Sequence, residues 1–253
     1  MHEPWFYCPE LRPGAVTLDE TESHHAFHSL RLRAGATLTL FDGRGQVARA
    51  TVAELAESEP TESQRPARRK QAAVQQVLVR EIDVVPQPAC ALTLIVAACK
   101  GPRLDTLVEK TTELGVQRLH LAKFERSVVL PGVGHVKKLR RVAVAACKQS
   151  RRAWLPQIFG GETLERVIVA AGEQALLVAK PADEAQPMGA WLAGRENAAA
   201  GLAVVIGPEG GLAPAEQELL RAAGAVPIRL GPNVLRVETA AIAVAACWAG
   251  ALA

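Results

Sequence analysis

Apolar residues change their spacing near residue 90, and the change divides the chain in two. Before it, short runs are alternating or β-branched; these runs are residues 36–41, 46–55 and 74–82, with the turn sequence Asp-Gly-Arg-Gly after the first. After it, continuous Val, Ile and Leu runs are bounded by Gly, Pro or helical stretches; they are residues 92–98, 116–122, 175–179, 202–206 and 226–230. Such runs are typical of strands buried on both faces, and therefore of a parallel sheet. We predict a β-rich domain over residues 1–86 and an α/β domain over residues 87–253.

The stretches between the later runs have helical spacing. Leu104, Leu107 and Val108 recur as they would on one helix face, and Gly115 is placed to end that helix. Pro214 suits the first turn of another helix. Further helices are predicted at residues 163–171 and 239–252. By contrast, residues 57–71 are rich in Ser, Pro, Glu, Gln and Arg, which predicts an exposed excursion.

The helix predicted over residues 136–152 carries basic side chains on one side. At about 100° per residue they fall within an arc of roughly 60°, opposite the apolar positions. The four residues are Lys137, Arg141, Lys148 and Arg152. A solvated surface explains such charges by default, but almost no acids balance them, which is what phosphate binding would use. Both interpretations stay open at this point.

Two loops that follow predicted strands carry the candidate binding chemistry. The first is Gly207-Pro208-Glu209-Gly210-Gly211, and the second runs from Gly231 to Thr239. Small molecules bind at the carboxyl ends of parallel strands, so the two loops together predict a ligand crevice. Neither contains the glycine pattern of dinucleotide or P-loop sites. Glycine-rich turns are common in α/β folds, so each loop alone is weak evidence.

Composition narrows the function classes. The chain has 253 residues and a formal net charge of +3, which permits a nucleic-acid partner without requiring one. No secretory leader is evident, and the apolar run at 240–253 is too short to cross a bilayer. The five scattered cysteines indicate reduced, buried thiols in cytoplasm. His24 and His28 have helical i,i+4 spacing, but no acid or cysteine lies nearby at a zinc spacing, so we expect a short helix and no metal.

The two loops taken together resemble the cofactor region of the SPOUT (α/β-knot) methyltransferases. Gly-Pro-Glu-Gly-Gly-Leu at 207–212 and Leu-Gly-Pro-Asn-Val-Leu-Arg-Val-Glu-Thr-Ala at 230–240 are similar, more narrowly, to the RsmE-type enzymes that make 3-methyluridine in 16S ribosomal RNA. Segments 100–103, 109–116 and 125–129 extend the resemblance. It implies a trefoil-knotted domain that binds S-adenosylmethionine (SAM), a PUA-like β-barrel for RNA at the N-terminus, and a homodimer that packs through the C-terminal helix. Its substrate would be the small ribosomal subunit, and its location the cytoplasm.

The resemblance, together with the chemistry of methyl transfer and the basic helix face, predicts roles for individual residues. The expected cofactor contacts are Leu177, Gly207, Pro208, Glu209, Gly210, Gly211, Leu230, Gly231, Asn233, Leu235 and Thr239, with the strand end at 177–181 as a wall. Arg236 would orient or polarise the uracil and Glu238 would assist, with Arg126 and Glu113 as more distant catalytic candidates. A salt bridge that pins the knot or the dimer is the alternative role for Arg236 and Glu238. RNA contacts are expected at Arg12, Arg31, Arg33, Lys137, Arg141, Lys148, Arg151 and Arg152.

The family pattern is not matched everywhere. Residues 148–152 would read Glu-Gln-Ser-Gly-Arg, whereas here Lys148 replaces the acid and Arg151 replaces the glycine. Three other functions compete with uracil-N3 methylation: ribose 2′-O methylation by the same fold, a catalytically silent RNA-binding assembly factor, and an α/β enzyme for a small acidic metabolite.

Overall fold

A computed structural model describes residues 3–53, 76–129, 132–180, 185–195 and 201–252. The chain divides into two compact units, residues 1–87 and 88–253. The excursion predicted at 57–71 lies outside the described residues, as do the first residues of the strand predicted at 74–82 and the last of the strand predicted at 46–55.

Alternating side chains build a mixed sheet in the first unit. Its strands are β1 (Trp5–Tyr7), β2 (Gly14–Thr17), β3 (Thr37–Phe41), β4 (Gln46–Val52), β5 (Gln76–Val79) and β6 (Asp83–Val84). They pair in the order β1-β3-β4-β5-β2, with β6 also on β4, and β1 is parallel to β3 while the other pairs are antiparallel. Phe6, Leu38, Leu40 and Val77 fill the core. The strands β1, β2 and β6 were not predicted, because two to four residues are too few to show a period.

The short helix predicted around His24 is present in the first unit. Helix α1 (Glu20–Ser23) begins after Asp19, whose carboxylate accepts a hydrogen bond from the Glu22 amide at 2.8 Å. It continues as a wider π-helical turn, His24–Ser29. The rings of His24 and His28 stack with their centroids 5.1 Å apart.

The second unit contains the predicted parallel sheet. Its strands are β7 (Leu92–Ala97), β8 (Arg118–Lys123), β9 (Gln157–Thr163), β10 (Ala175–Ala179), β11 (Gln186–Pro187), β12 (Leu202–Ile206) and β13 (Val226–Arg229). Their order is β11-β13-β10-β12-β7-β8-β9, and every pair is parallel. The strands β7 and β12 are buried at every residue, as their continuous apolar runs predict. The trefoil knot stays a prediction.

Helices cover both faces of this sheet. They are α2 (Pro102–Glu113), α3 (Val133–Ser150), α4 (Leu164–Ala171), α5 (Met188–Ala193), α6 (Pro214–Ala222) and α7 (Val237–Leu252). Leu94 points to the face that α2, α3 and α7 cover, whereas the next residue, Ile95, points to the face under α4 and α6. Gly115 follows α2 with φ of +86°, as its predicted helix-ending role requires. None of the described helices is long and apolar enough to cross a membrane.

Two of the helix boundaries that differ from prediction matter for the site. Helix α3 ends at Ser150, and Arg151 follows it in the left-handed conformation, with φ of 57° and ψ of 38°. Arg152 therefore does not belong to the helix. Helix α7 begins at Val237, two residues before the predicted start, which places Glu238 in its first turn.

Candidate functional site

The carboxyl ends of β10, β12 and β13 border a cavity of about 360 Å³. This volume lies within the range of small-molecule sites, and the place is where ligands bind in open parallel sheets. Eight of the eleven predicted cofactor residues line it: Gly207, Pro208, Glu209, Gly211, Leu230, Gly231, Asn233 and Leu235. The two strand-end loops thus meet in one crevice, as the sequence predicts.

Three predicted cofactor residues are placed elsewhere. Leu177 is fully buried in the core. Gly210 points its carbonyl oxygen outward to Arg126, and Thr239 is exposed on α7. Within the wall predicted at 177–181, Ala179 and Lys180 line the cavity, while residue 181 lies outside the described residues.

Lys180 was predicted only as part of the wall at 177–181, with no role of its own. Its backbone amide bonds the Ile228 carbonyl at 2.9 Å, which holds it at the end of β10, and its half-buried side chain lines the cavity. The available signal was positional: Lys180 follows the run 175–179 as Gly207 follows the run 202–206. Leu212, Gln217, Val234, Val237 and Ala240 also line the cavity without having been predicted.

The shape and chemistry of the cavity suit SAM. The loop turns back tightly, since the Gly211 amide bonds the Pro208 carbonyl at 2.8 Å. A Cβ at Gly207 would lie 2.9 Å from Leu212 Cδ2, so a larger residue at 207 would require the Leu212 side chain to move. Among the described residues, the walls are mostly apolar and carry one cation, Lys180, and one anion, Glu209. Apolar walls suit an adenine ring, and opposite charges suit a ligand that carries an amino group, a carboxylate and a sulfonium.

Arg126 holds the glycine-rich loop from outside. Its guanidinium donates a hydrogen bond to the Gly210 carbonyl at 2.8 Å. A Cβ at Gly210 would lie 3.6 Å from the Arg126 side chain, in ordinary contact. The predicted catalytic candidate therefore contacts the cofactor loop directly, at the end of β8. Glu113, the other distant candidate, is ion-paired with Lys110 at 2.9 Å.

Arg236 and Glu238 have different surroundings. Arg236 is exposed, and its side chain makes no hydrogen bond or ion pair with any described residue. Glu238 is buried, with Oε1 lying 3.8 Å from Arg103 Nε and Oε2 lacking a hydrogen-bond partner among the described residues. Glu238 thus has an ion-pair partner, Arg103, and a role of that pair in pinning the knot or the dimer stays a prediction. Burial, and then the charge of Glu238, raise the pKa of the Cys99 thiol to about 11.

The predicted RNA contacts divide into exposed and internal residues. Those exposed to solvent are Arg12, Arg31, Arg33, Lys137, Arg141 and Arg151, whereas Lys148 is half-buried. The prediction of an RNA contact is wrong for Arg152, because its guanidinium donates hydrogen bonds to the carbonyls of Thr112 and Val116, each at 2.7 Å. Burial also lowers its pKa. The chain leaves the helix at Arg151, so the 100° spacing no longer applies to Arg152, which turns inward to the end of α2.

Among the described residues, the cysteines and the possible metal ligands do not form a second reactive or metal site. Cys8, Cys99 and Cys147 are buried, but Cys247 is exposed on α7, so the expectation of buried thiols is wrong for Cys247. Within the described part of the chain, no three His, Cys, Asp or Glu side chains gather as metal ligands would.

The chain is similar to known methyltransferases along its length. Residues 86–249 match the family described as an RNA methyltransferase domain, and residues 18–60 match the RNA methyltransferase PUA domain. The ribosomal RNA small subunit methyltransferase E of Mycobacterium bovis is 34% identical over 93% of this chain and 87% of its own. That of Synechocystis is 29% identical over 91% and 71%. The crystal structure of the Neisseria gonorrhoeae enzyme of that name, bound to S-adenosyl methionine, superposes with a TM-score of 0.81 at 26% identity over 97% of this chain and 96% of the other.

Proposed function

This chain belongs to the RNA methyltransferase family, and from that premise we propose that it is a SAM-dependent methyltransferase of small-subunit ribosomal RNA that acts on N3 of a uridine. The cavity at the ends of β10, β12 and β13 carries this proposal. It is formed by the two loops whose sequences resemble the family, and it offers the size and charges that SAM needs.

The cofactor would be held largely by backbone groups of the two loops. Gly207–Leu212 and Leu230–Leu235 present amides and carbonyls beside apolar walls, and Leu177 supports them from the core. We assign Lys180 to the cofactor's carboxylate and Glu209 to its positive end, because these are the oppositely charged residues that line the cavity. When bound, SAM would supply a methyl group on a sulfonium; the nucleophile would attack the methyl carbon in line, and S-adenosylhomocysteine would leave with the electron pair of the broken carbon–sulfur bond.

The protein's chemical task is then to align the uracil and to handle its proton. Uracil N3 carries a proton at neutral pH, so this proton has to leave as negative charge develops on the ring. Arg236 is an exposed cation with no partner among the described residues; it lies in sequence between the lining residues Leu235 and Val237, and it can orient the ring and stabilise that charge. Glu238 is a carboxylate with one unpartnered oxygen, which can accept the proton or fix the start of α7. Arg126 would hold the cofactor loop beside them.

The RNA would be bound by exposed cations on both units. We propose that the first unit, residues 1–86, is the PUA-like RNA-binding domain, with Arg12, Arg31 and Arg33 as its phosphate contacts, and that residues 87–253 form the methyltransferase domain. Lys137, Arg141 and Arg151 on α3 and at its end would contribute further contacts. Lys148 would be a weaker one, because it is half-buried.

We also propose that two chains form a homodimer in cytoplasm. The outward side of α7 supports this, because its exposed residues are small or apolar, including Ala246, Cys247 and Leu252. A free thiol on that face fits a reducing compartment.

The direct test is methyl transfer from labelled SAM to small ribosomal subunits that lack the modification. The RNA is then digested and the labelled nucleoside identified. We expect a single 3-methyluridine per subunit. Labelled 2′-O-methyl nucleosides would agree with the proposed cofactor and fold but would show that the reaction is ribose 2′-O methylation. Absence of both incorporation and SAM binding by calorimetry would exclude an enzyme and favour an RNA-binding assembly factor.

A further inference from the structure

The loop after β8 and the loop after β12 are joined by one carboxylate, that of Glu216 on α6. Its Oε1 accepts a hydrogen bond from the Glu125 amide at 2.7 Å, and its Oε2 accepts one from the Ala213 amide at 2.8 Å. The first bond links residues 91 positions apart, while the second is the local cap of α6. Arg126, which follows Glu125 in the chain, also joins the two loops, because its guanidinium donates a hydrogen bond to the Gly210 carbonyl.

These bonds fix the distance between two parts of the proposed site. The loop after β12 lines the cofactor cavity, whereas the loop after β8 carries Arg126. The loop after β8 is itself closed, since the Phe124 amide donates to Ser127 Oγ at 3.1 Å and the Ser127 amide to the Phe124 carbonyl at 3.1 Å. Two locally rigid loops are thus connected through two side chains, Glu216 and Arg126, and Glu216 is the one that also caps α6.

We propose that Glu216 is a positioning residue that holds the Arg126 loop in register with the cofactor loop, so that substrate base and methyl donor meet in one fixed frame. This inference rests on the proposed function. Its physical basis is that in-line transfer depends steeply on alignment, and a displacement of about 1 Å can cost about 100-fold in rate. In the proposed arrangement, Glu216 contacts neither the substrate base nor the methyl donor. It acts through Glu125 and Ala213.

The substitution Glu216→Gln removes one of the two hydrogen bonds of Glu216 and keeps the other. Only a carboxylate offers an acceptor oxygen to each amide, because the second atom of a glutamine amide is an NH₂ donor. Glutamine is nevertheless a normal residue at the third position of a capping box, where it still accepts from the residue that caps the helix. Glu216→Gln should therefore retain the local bond to Ala213 and lose the long-range bond to Glu125.

The experiment compares Glu216→Gln with Glu218→Gln in the full chain. Glu218 lies on the same helix and pairs with Arg221 at 2.6 Å, so it is a matched control. We expect Glu216→Gln to lower kcat about tenfold or more while the Kd for S-adenosylhomocysteine stays within about threefold of wild type. Glu218→Gln should change neither. Glu216→Ala, which removes both bonds, should lower Tm and weaken S-adenosylhomocysteine binding as well.

Equal turnover in Glu216→Gln and Glu218→Gln would overturn the proposal. So would a loss that appears entirely in the Kd for S-adenosylhomocysteine, because Glu216 would then serve the cofactor loop alone. Hydrogen exchange of the wild-type protein provides a test that needs no variant: the Glu125 amide should exchange far more slowly than a free peptide, and free exchange would contradict the bond. Failure of wild type to bind S-adenosylhomocysteine would instead remove the proposed function, and the exchange result would still decide whether the link exists.

Discussion

Arg236 and Glu238 are separated by one residue, yet one is exposed and the other is buried against Arg103. We predict that Arg236→Gln and Glu238→Gln each lower kcat by about two orders of magnitude or more, because one removes the charge that stabilises the ring and the other removes the proton acceptor. Single-turnover methylation of small subunits measures this loss.

The two variants should differ in stability. Arg236→Gln changes an exposed, unpaired side chain, so its Tm and its Kd for S-adenosylhomocysteine should match wild type. Glu238→Gln removes the partner of the half-exposed Arg103, and its Tm should fall slightly. Wild-type turnover in both variants would remove the catalytic assignment and leave Glu238 as a structural ion pair.

Arg151 occupies a backbone conformation that favours glycine. A left-handed conformation costs a residue with a side chain about 1–2 kcal/mol, and glycine's greater freedom in the unfolded chain offsets up to about 1 kcal/mol of the gain. We predict that Arg151→Gly raises the free energy of unfolding by about 0.5–1 kcal/mol in urea titrations. The matched control is Ser150→Gly at the last residue of α3, where the helical conformation favours a residue with a side chain, and it should lower the free energy of unfolding. A less stable Arg151→Gly would show that the arginine side chain makes a stabilising contact.

The residue scale also shows where sequence reasoning stops. The family resemblance placed a glycine at 151, and the φ of 57° supplies the physical reason for that expectation. The helical projection, by contrast, placed Arg152 on the basic side of α3, because it assumes that the helix continues. One left-handed residue turns Arg152 toward the carbonyls of Thr112 and Val116. Such a change depends on long-range contacts that no local pattern contains.

At the scale of elements, burial decides which strands were predicted. The strands β7 and β12 are covered on both sides and show uninterrupted apolar runs. The strand β9 lies at the end of the sheet, and its residues alternate between exposed and half-buried, with two glycines in the middle. Its composition is that of a loop, so it was missed. The crevice was predicted because it depends only on where buried strands end.

Helix α3 provides a comparison between two arginines that the sequence placed on the same stripe. We predict that Arg141→Ala weakens binding to a small-subunit RNA fragment and lowers the slope of log affinity against log salt by about 1, while the free energy of unfolding is unchanged. Arg152→Ala should lower the free energy of unfolding by about 2–4 kcal/mol, because two carbonyls lose charged donors.

Both variants are measured by urea unfolding and by filter binding at several salt concentrations. For Arg152→Ala, binding by the folded protein should keep the wild-type salt slope. A reduced slope for Arg152→Ala, or a full slope for Arg141→Ala, would reverse the assignment of the two residues.

At the scale of the whole molecule, the change in hydrophobic period near residue 90 corresponds to the division between compact units at residues 87 and 88. The two patterns reflect two ways of burying a core. Before the division, strands bury one face and their residues alternate; after it, parallel strands are buried on both faces and their residues are continuously apolar. The net charge, by contrast, does not predict which basic side chains are exposed. It is +3 whether Arg152 contacts RNA or bonds to backbone carbonyls.

Helix α7 contributes to the whole molecule in two ways. Its first turns line the cavity through Val237 and Ala240, while Ala246, Cys247 and Leu252 lie exposed further along. An exposed run of small and apolar residues permits close packing of a second helix. We predict that the protein sediments as a dimer and that Ala246→Glu, which would place a charge in that contact, produces a monomer.

The control for this last prediction is Ala222→Glu, the same change at an exposed alanine that ends α6. It should remain dimeric, and both variants should keep their Tm within a few degrees, because neither alanine is buried within its own chain. In the dimer, a short bismaleimide should link Cys247 to the same residue of a second copy, since a two-fold axis brings identical positions together. A monomeric wild type, or a dimer that Ala246→Glu leaves intact, would show that α7 does not form the contact. A monomer that still binds S-adenosylhomocysteine but no longer methylates RNA would show that the active site needs both chains, although the cavity is built from one.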